Sequence, residues 1–138
     1  MTGVQTCALP ILQILFLNNN KLQGSIPNSL GNLTILTKLA LESNNLEGNI
    51  PSSLEHCQSL IRLTVYENKL VGTVPQQIFG ITTSVRLDMS YNLLSGPFPS
   101  EVGSLKNLVI LDISKNQFSR EIPVSLGSCT SLEYLNLQ

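Results

Sequence analysis

Residues 36–57 read LTKLALESNNLEGNIPSSLEHC, and this pattern of residue types returns every 24 residues along the 138-residue chain. Each unit approximates L-x-x-L-x-L-x-x-N-x-L-x-G-x-I-P-x-x-L-G-x-L. Five units are complete, at residues 12–35, 36–59, 60–83, 84–107 and 108–131, and a sixth runs to Gln138. An unbroken period of this kind, within roughly 20–50 residues, predicts a solenoid of stacked repeats.

The segment L-x-x-L-x-L alternates apolar and variable residues, which is typical of a half-buried strand. In the second unit we expect Leu39 and Leu41 to point inward, and Lys38, Ala40 and Glu42 to point outward. Strands of successive units would then stack in parallel into one curved sheet. Each unit depends on its neighbours in such an array.

Three further columns turn the chain away from this sheet. A glycine in each of the first four units allows a bend that a side chain would hinder. A proline ends the next segment because it has no N–H donor. A carboxamide in the Asn column can satisfy backbone groups of its own and adjacent turns. We therefore expect a structural, largely buried set of asparagines, namely Asn20, Asn44, Asn68, Asn92 and Asn116.

The L-x-G-x-I-P stretches at residues 22–27 and 46–51, together with L-G-N-L-T at residues 30–34, resemble the plant extracellular class of the leucine-rich repeat family. The resemblance covers residues 12–138. It implies an α/β fold, a right-handed solenoid of 24-residue repeats with a parallel concave sheet. In this class the I-P segment forms a second, short sheet on the flank, with 3₁₀ or helical turns behind it.

Residues 1–11 fit no phase of the repeat. They resemble the translated read-through of a sequencing adapter joined to a partial transcript, and the alternative is a short disordered leader. The array itself is expected over residues 12–138. The paired cysteines that usually close plant extracellular arrays are missing, so we expect a fragment that is cut at both ends. Arrays without caps tend to be insoluble, and poor solubility of this chain is therefore predicted.

The cysteines are predicted to be packing residues. Cys57 and Cys129 share a phase with Leu33 and Leu105, where the unit needs a buried apolar side chain. They are three units apart, which places them about 14–15 Å from each other in a regular stack. A disulfide requires Cα atoms within about 7 Å, so this pair is not expected to form one. Cys7 lies in the segment outside the repeats.

Neither catalysis nor a cofactor is indicated. The single histidine, His56, has no metal-ligand partner at suitable spacing and no nucleophile paired with it. The chain has 8 basic and 9 acidic residues, which gives no electrostatic case for binding nucleic acid or a membrane surface. No apolar run approaches the roughly 18 residues of a membrane span, and no secretory signal is recognisable at the amino terminus. We expect a non-enzymatic domain without metal or cofactor.

Other sequence features depart from the simple repeat. Asn32-Leu33-Thr34 is an N-glycosylation sequon that the phase places on the convex or flanking surface. Ser84 replaces the opening Leu of the fourth unit, which leaves that layer under-filled unless Val85 turns inward. Arg120 replaces the column Gly, and Phe118 replaces the column Leu.

Variable residues on a rigid concave scaffold are the means by which repeat proteins recognise ligands. The first outward column is expected to consist of Ile14, Lys38, Arg62, Arg86, Ile110 and Tyr134, so three basic residues follow one another in successive units. Arg86 would be compensated by Asp88 and Asp112, whereas Lys38 and Arg62 would face Ala40 and Thr64. The predicted ligand-contacting residues are therefore Lys38, Arg62, Tyr66, Arg86, Asp88, Tyr91 and Asp112. The alternative is that the basic side chains extend into solvent and reach Glu42 or Glu67, with little energetic effect.

The resemblance implies a function without identifying a ligand. The leading hypothesis is a fragment of the extracellular ligand-binding domain of a plant receptor-like kinase, which recognises a peptide or protein and recruits a co-receptor at the plasma membrane. A soluble cell-wall protein similar to polygalacturonase inhibitors, a receptor-like protein without a kinase, and a truncated product without independent function are the alternatives. The coding sequence after Gln138 would separate them, because a kinase carries V-A-I-K, H-R-D and D-F-G motifs.

Overall fold

A computed structural model describes residues 10–138 of the chain. Its elements follow the 24-residue period, with two strands and one 3₁₀ helix in each complete unit. In chain order they are β1 (Ile14–Phe16), β2 (Gln23–Ser25), η1 (Asn28–Asn32), β3 (Lys38–Ala40), β4 (Asn45–Gly48), η2 (Ser52–His56), β5 (Arg62–Thr64), β6 (Lys69–Gly72), η3 (Gln76–Gly80), β7 (Arg86–Asp88), β8 (Leu93–Pro97), η4 (Ser100–Ser104), β9 (Ile110–Asp112), β10 (Gln117–Ser119), η5 (Val124–Ser128) and β11 (Tyr134–Asn136). The interpretation of residues 1–11 and of Cys7 falls largely or wholly outside the described residues.

Two parallel sheets confirm the predicted solenoid. The odd-numbered strands form one six-stranded sheet in the order β1-β3-β5-β7-β9-β11, and the even-numbered strands form a second sheet of five on the flank. The first sheet pairs residues 24 apart, such as Leu15 with Leu39. The second sheet pairs residues 22 apart, such as Gln23 with Asn45, so its strands slip by two residues at each step. The helical part of each unit consists of one five-residue 3₁₀ helix.

The core consists of leucines that repeat at the same phase in each unit. Leu39, Leu63, Leu87 and Leu111 are all fully buried. The equivalent residues of the terminal strands are less protected, since Leu135 is 42% exposed and Leu15 is partly buried. A layer is thus fully packed where the chain provides a neighbouring unit on both sides, because each repeat in a solenoid packs only against its two neighbours.

The Asn column ties successive units together. The Asn92 side-chain amide donates hydrogen bonds to the carbonyls of Val65, Met89 and Ser90, and its Oδ1 accepts one from the Leu70 backbone N–H. Asn44 and Asn92 are buried, and Asn68 and Asn116 are partly buried. These bonds reach 22 and 27 residues back, and the 22-residue bond has the same spacing as the slipped register of the flank sheet.

Asn20 departs from this prediction because it is exposed. Its amide bonds only the carbonyls of Leu17 and Asn18, in its own unit. The inter-unit contacts of the other asparagines lie 22 and 27 residues earlier, and for Asn20 those positions precede residue 1.

The irregular positions are accommodated in different ways. Ser84 occupies the layer itself, 1% exposed and with no hydrogen-bond partner for its hydroxyl, while Val85 stays partly buried. Phe118 packs edge-on against Phe98 at 5.5 Å between ring centroids, so the aromatic ring at the column Leu has a matching neighbour. Arg120 adopts a φ of +70°, close to the values near +77° of the glycines that it replaces.

Both predicted packing cysteines are buried and free. The Cys57 thiol donates a long hydrogen bond to the Leu30 carbonyl at 3.5 Å, and the Cys129 thiol donates one to the Val102 carbonyl at 3.2 Å. Burial raises the pKa of both thiols above the ordinary value. Cys57 and Cys129 therefore act as small apolar residues that also satisfy a carbonyl of the preceding unit.

Candidate ligand-binding surface

The outer face of the six-stranded sheet is organised in columns, each made of residues that pair across neighbouring strands. The first column runs across all six strands and matches the predicted column residue for residue: Ile14, Lys38, Arg62, Arg86, Ile110 and Tyr134. The second column is Phe16, Ala40, Thr64, Asp88, Asp112 and Asn136. Backbone pairing thus brings the three basic residues onto adjacent strands.

The expectation that Arg62 is uncompensated is wrong. Its Nη2 lies 3.5 Å from Oε1 of Glu42, which belongs to the preceding unit. The Arg62 side chain is 36% exposed and the Glu42 side chain only 4%, so this pair covers an acidic group on the floor of the sheet. Glu42 also accepts a 2.6 Å hydrogen bond from the Thr64 hydroxyl. The alternative interpretation, in which the basic side chain reaches Glu42, is the one that the structure adopts.

Arg86 is compensated by Asp88 within its own strand, as predicted, but the predicted compensation by Asp112 is wrong, because Arg86 makes no ion pair with it. Its Nη2 lies 3.2 Å from Oδ2 of Asp88. Oδ1 of Asp88 accepts hydrogen bonds from the backbone N–H of Ser90 at 3.3 Å and from the Ser90 hydroxyl at 2.7 Å. Every oxygen of this buried carboxylate is therefore occupied, which is the condition for keeping a charge in a poorly hydrated place.

Asp112 repeats the geometry of Asp88 without the cation. Its Oδ1 accepts hydrogen bonds from the backbone N–H of Ser114 at 3.0 Å and from the Ser114 hydroxyl at 2.6 Å. Its Oδ2 has only 3.4 Å contacts with the Tyr134 hydroxyl and the Asn136 amide. No basic group lies within 4 Å of the Asp112 carboxylate among residues 10–138.

Lys38 is the first-column basic residue that is exposed and free of an ion pair within the described chain. It pairs across strands with Ile14 and Arg62. Ile14 is 48% exposed, and Phe16 of the second column is 54% exposed on the same strand. The amino-terminal end of the sheet thus presents one free ammonium group beside two large apolar side chains.

The two predicted aromatic residues, Tyr66 and Tyr91, lie beyond the ends of β5 and β7. Tyr66 is partly buried, and its pKa is raised by burial and then by the carboxylates of Glu42, Asp88 and Glu67, with Arg86 opposing them. Its hydroxyl therefore stays neutral and able to donate a hydrogen bond. Tyr91 is 55% exposed and belongs to the column that follows the strands.

That rim column has a left-handed backbone in every complete unit. Asn19, Ser43, Glu67, Tyr91 and Lys115 all have φ values between 52° and 56°. Only asparagine among these residues tolerates such a backbone readily. The stacked hydrogen bonds of the turn, such as the one from the Glu67 N–H to the Ser90 carbonyl, hold the others there. The rim residues therefore share one backbone conformation, which the turn hydrogen bonds repeat from unit to unit.

Of the remaining predicted positions, Asn32 is exposed at the end of η1, as a glycan acceptor must be. His56 is exposed and lies 3.8 Å from Glu55. The described part of the chain contains no group of three or more metal-capable side chains, and no helix there is long and apolar enough to cross a membrane.

Sequence reasoning did not predict that several polar residues of this surface are buried. Glu42, Thr64, Ser90 and Ser114 line the floor, and all are buried although their columns face outward. One signal was available. Asp-x-Ser recurs at the same phase in the fourth and fifth units, and a Ser two residues after an Asp is well placed to cap it.

The repeats match the family model described as Leucine Rich Repeat at residues 12–33, 36–57, 85–105 and 107–129, which is more than half of the chain. A search of curated proteins finds no match. Among solved structures, the chain is similar to the ectodomain of the plant membrane receptor kinase GASSHO1/SCHENGEN3 from Arabidopsis thaliana, in complex with CASPARIAN STRIP INTEGRITY FACTOR 2. The identity is 37% and the TM-score 0.88, over 89% of this chain and 15% of that one.

Two further structures are similar. The Arabidopsis receptor kinase HAESA, in complex with the peptide hormone IDA and the co-receptor SERK1, is 38% identical with a TM-score of 0.86, over 89% of this chain and 21% of that one. A chain of the Arabidopsis thaliana BIR3–SERK2 complex is 34% identical with a TM-score of 0.79, over 90% of this chain and 68% of that one. The chain therefore spans a small part of the first two ectodomains. On its repeats and its coordinates, the chain belongs to the leucine-rich repeat family, and the solved structures that it resembles include ectodomains of plant receptor kinases.

Proposed function

We propose that the chain forms part of the extracellular ligand-binding domain of a plant leucine-rich repeat receptor-like kinase, and that it contacts a peptide or protein through its concave sheet and the adjacent rim. The supporting comparison is that similar ectodomains have been solved in complex with a peptide hormone or another protein. The leucine-rich repeat fold itself is a binding scaffold without catalytic groups.

The observation that carries the proposal is the composition of the outer columns. Lys38, Tyr91 and Tyr134 are exposed there, and Arg62 and Arg86 keep more than a third of their side chains accessible. Charged, amide and aromatic side chains on a rigid backbone provide direction and anchoring, and tyrosine and arginine are enriched at binding hot spots. A ligand held there would bring a co-receptor ectodomain to the lateral surface, and the signal would pass to a kinase elsewhere in the parent protein.

The alternatives keep the same fold and differ in what else the gene encodes. A soluble wall protein similar to polygalacturonase inhibitors, or a receptor-like protein without a kinase, would use the same surface without a cytoplasmic kinase. In a truncated product this surface would have no binding function. The coding sequence beyond Gln138 separates these cases, because a membrane-spanning segment followed by kinase motifs supports the receptor kinase.

The binding proposal is tested by titration calorimetry on the parent ectodomain with its ligand. We expect Lys38→Ala and Arg62→Ala to weaken binding, and Arg62→Ala by about tenfold, which corresponds to about 1.4 kcal/mol. Lys69→Ala is the matched control, because Lys69 is exposed on the flank sheet. Unchanged affinity in both variants would refute this site, as would an equal loss in the control.

A further inference from the structure

The repeat symmetry of the concave sheet allows each charged position to be compared with its equivalents in neighbouring units. The pair Arg62–Glu42 joins a first-column base to an acid of the preceding unit. For Lys38 the equivalent of Glu42 is Asn18, which carries no charge. Lys38 therefore occupies the position of Arg62 but lacks the carboxylate that Arg62 uses.

The same comparison applies to the acidic positions. Asp88 is neutralised by Arg86, two residues earlier in its strand. For Asp112 the equivalent of Arg86 is Ile110, which has no charge to offer. Asp112 keeps the serine cap on one oxygen and has only two 3.4 Å contacts on the other. A guanidinium or ammonium group is what this second oxygen lacks.

The free charges of these two columns thus have opposite signs and lie three strand intervals apart, on β3 and β9. Between them, the Arg62–Glu42 and Arg86–Asp88 pairs form a neutralised floor. We infer that the concave sheet takes an extended peptide that carries an acidic side chain over Lys38 and a basic side chain over Asp112. This inference rests on the proposed function and specifies the ligand chemistry of the same surface.

The spacing of the two charges follows from the sheet geometry. Lys38 and Asp112 lie on β3 and β9, three strand intervals apart, or about 14 Å at roughly 4.8 Å per interval. Asp112 is also one column further, about 7 Å along the strand direction. The separation is therefore about 16 Å, which an extended peptide spans in about five residues at roughly 3.3 Å each. Either order of the two charges fits, because the peptide can run in either direction.

The test is a selection on the 138-residue chain, joined at both ends to the capping repeats of a soluble relative and displayed on yeast, with a phage library of random nonapeptides flanked by Gly-Ser at both ends. Enriched peptides are expected to contain an acidic and a basic residue four to six positions apart more often than the starting library. Lys38→Ala should remove the acidic preference and keep the basic one. Asp112→Asn should do the reverse. Individual binders should lose about two- to fivefold in affinity in either variant, as expected for partly exposed ion pairs.

The controls are Lys69→Ala and Glu47→Gln, which remove exposed charges from the flank sheet and should leave both preferences unchanged. Enriched peptides without the charge spacing, whose binding survives both concave-face variants, would overturn the inference and leave the proposed function standing. A selection that yields no peptide above a chain-free control would count against both.

Discussion

The hydrogen-bonded Asn column provides the sharpest test of what holds the units together. Replacing Asn92 with Ala removes the amide that donates to the carbonyls of Val65, Met89 and Ser90. It also removes the oxygen that accepts from the Leu70 backbone N–H at 3.0 Å. The change leaves the leucine layers untouched, so the loss reports on the polar connection alone.

The magnitude follows from which groups lose their partner. The carbonyls of Val65 and Met89 keep a second asparagine, because Asn68 and Asn116 donate to them as well. The buried Leu70 N–H donates to Asn92, and the loss of this partner costs about 1–3 kcal/mol. The Asn92 amide has two N–H groups for its three carbonyl partners, and the loss of these two donors adds about 1 kcal/mol each. We expect a loss of about 3–5 kcal/mol in the free energy of unfolding.

The assay is urea unfolding followed by circular dichroism, on the chain joined at both ends to the capping repeats of a soluble relative, because uncapped arrays aggregate. The midpoint should shift to lower urea, and the extrapolated free energy gives the loss. Asn45→Ala is the matched control, since Asn45 is exposed on the flank strand β4 and lies outside the Asn column. Its effect should stay within about 0.5 kcal/mol. A loss below about 1 kcal/mol for Asn92→Ala, or equal losses in both variants, would refute the reasoning.

Three further predictions concern single positions, each read by the same unfolding assay. Ser84→Ala should raise the free energy of unfolding by about 1–3 kcal/mol, because the Ser84 hydroxyl is buried without a partner. Its control, Ser90→Ala, should lower the free energy of unfolding by about 1 kcal/mol, since the Ser90 hydroxyl donates a 2.7 Å hydrogen bond to Asp88. A destabilised Ser84→Ala variant would contradict this prediction. Arg120→Gly should raise the free energy of unfolding by about 1 kcal/mol, because glycine adopts a φ of +70° without strain. Gly96→Ala should lower it, because a Cβ at this position would lie 2.8 Å from Thr73 Cγ2. No gain in stability for Arg120→Gly would show that the backbone at this position is unstrained. Burial raises the pKa of Cys57 above 9.0, so the thiol of the unfolded chain ionises first and the free energy of unfolding should fall as the pH rises beyond 9.0. This fall should be smaller in the Cys57→Ala variant. Identical pH profiles in the two proteins would exclude Cys57 as the cause.

The period alone predicts much of the fold. Because the Leu columns fix which side of each strand faces inward, the cross-strand register follows directly, and the observed first column agrees at every position from Ile14 to Tyr134. The role of Cys57 and Cys129 follows from phase in the same way. The resemblance to plant arrays provides the flank sheet and the 3₁₀ turns, which the alternation of residues does not specify.

The chemistry of the surface is less predictable, because it depends on side-chain conformations between units. Arg62 reaches back to Glu42, while Arg86 bonds within its own strand, and both choices are compatible with the spacing. Thr64 is fully buried although its column faces outward, since neighbouring side chains cover the floor. The exposure of Asn20 follows from its place in the array and not from its residue type.

The central claim is that recognition occurs on the concave sheet, and hydrogen–deuterium exchange with and without a bound peptide measures this directly. The account predicts that a peptide selected on the chain slows exchange in β3, β5, β7 and β9 and in the rim residues that follow them. The five 3₁₀ helices on the opposite side should exchange at the same rate with and without the peptide. Protection confined to those helices or to the flank sheet, with unchanged exchange in β3 to β9, would contradict the account.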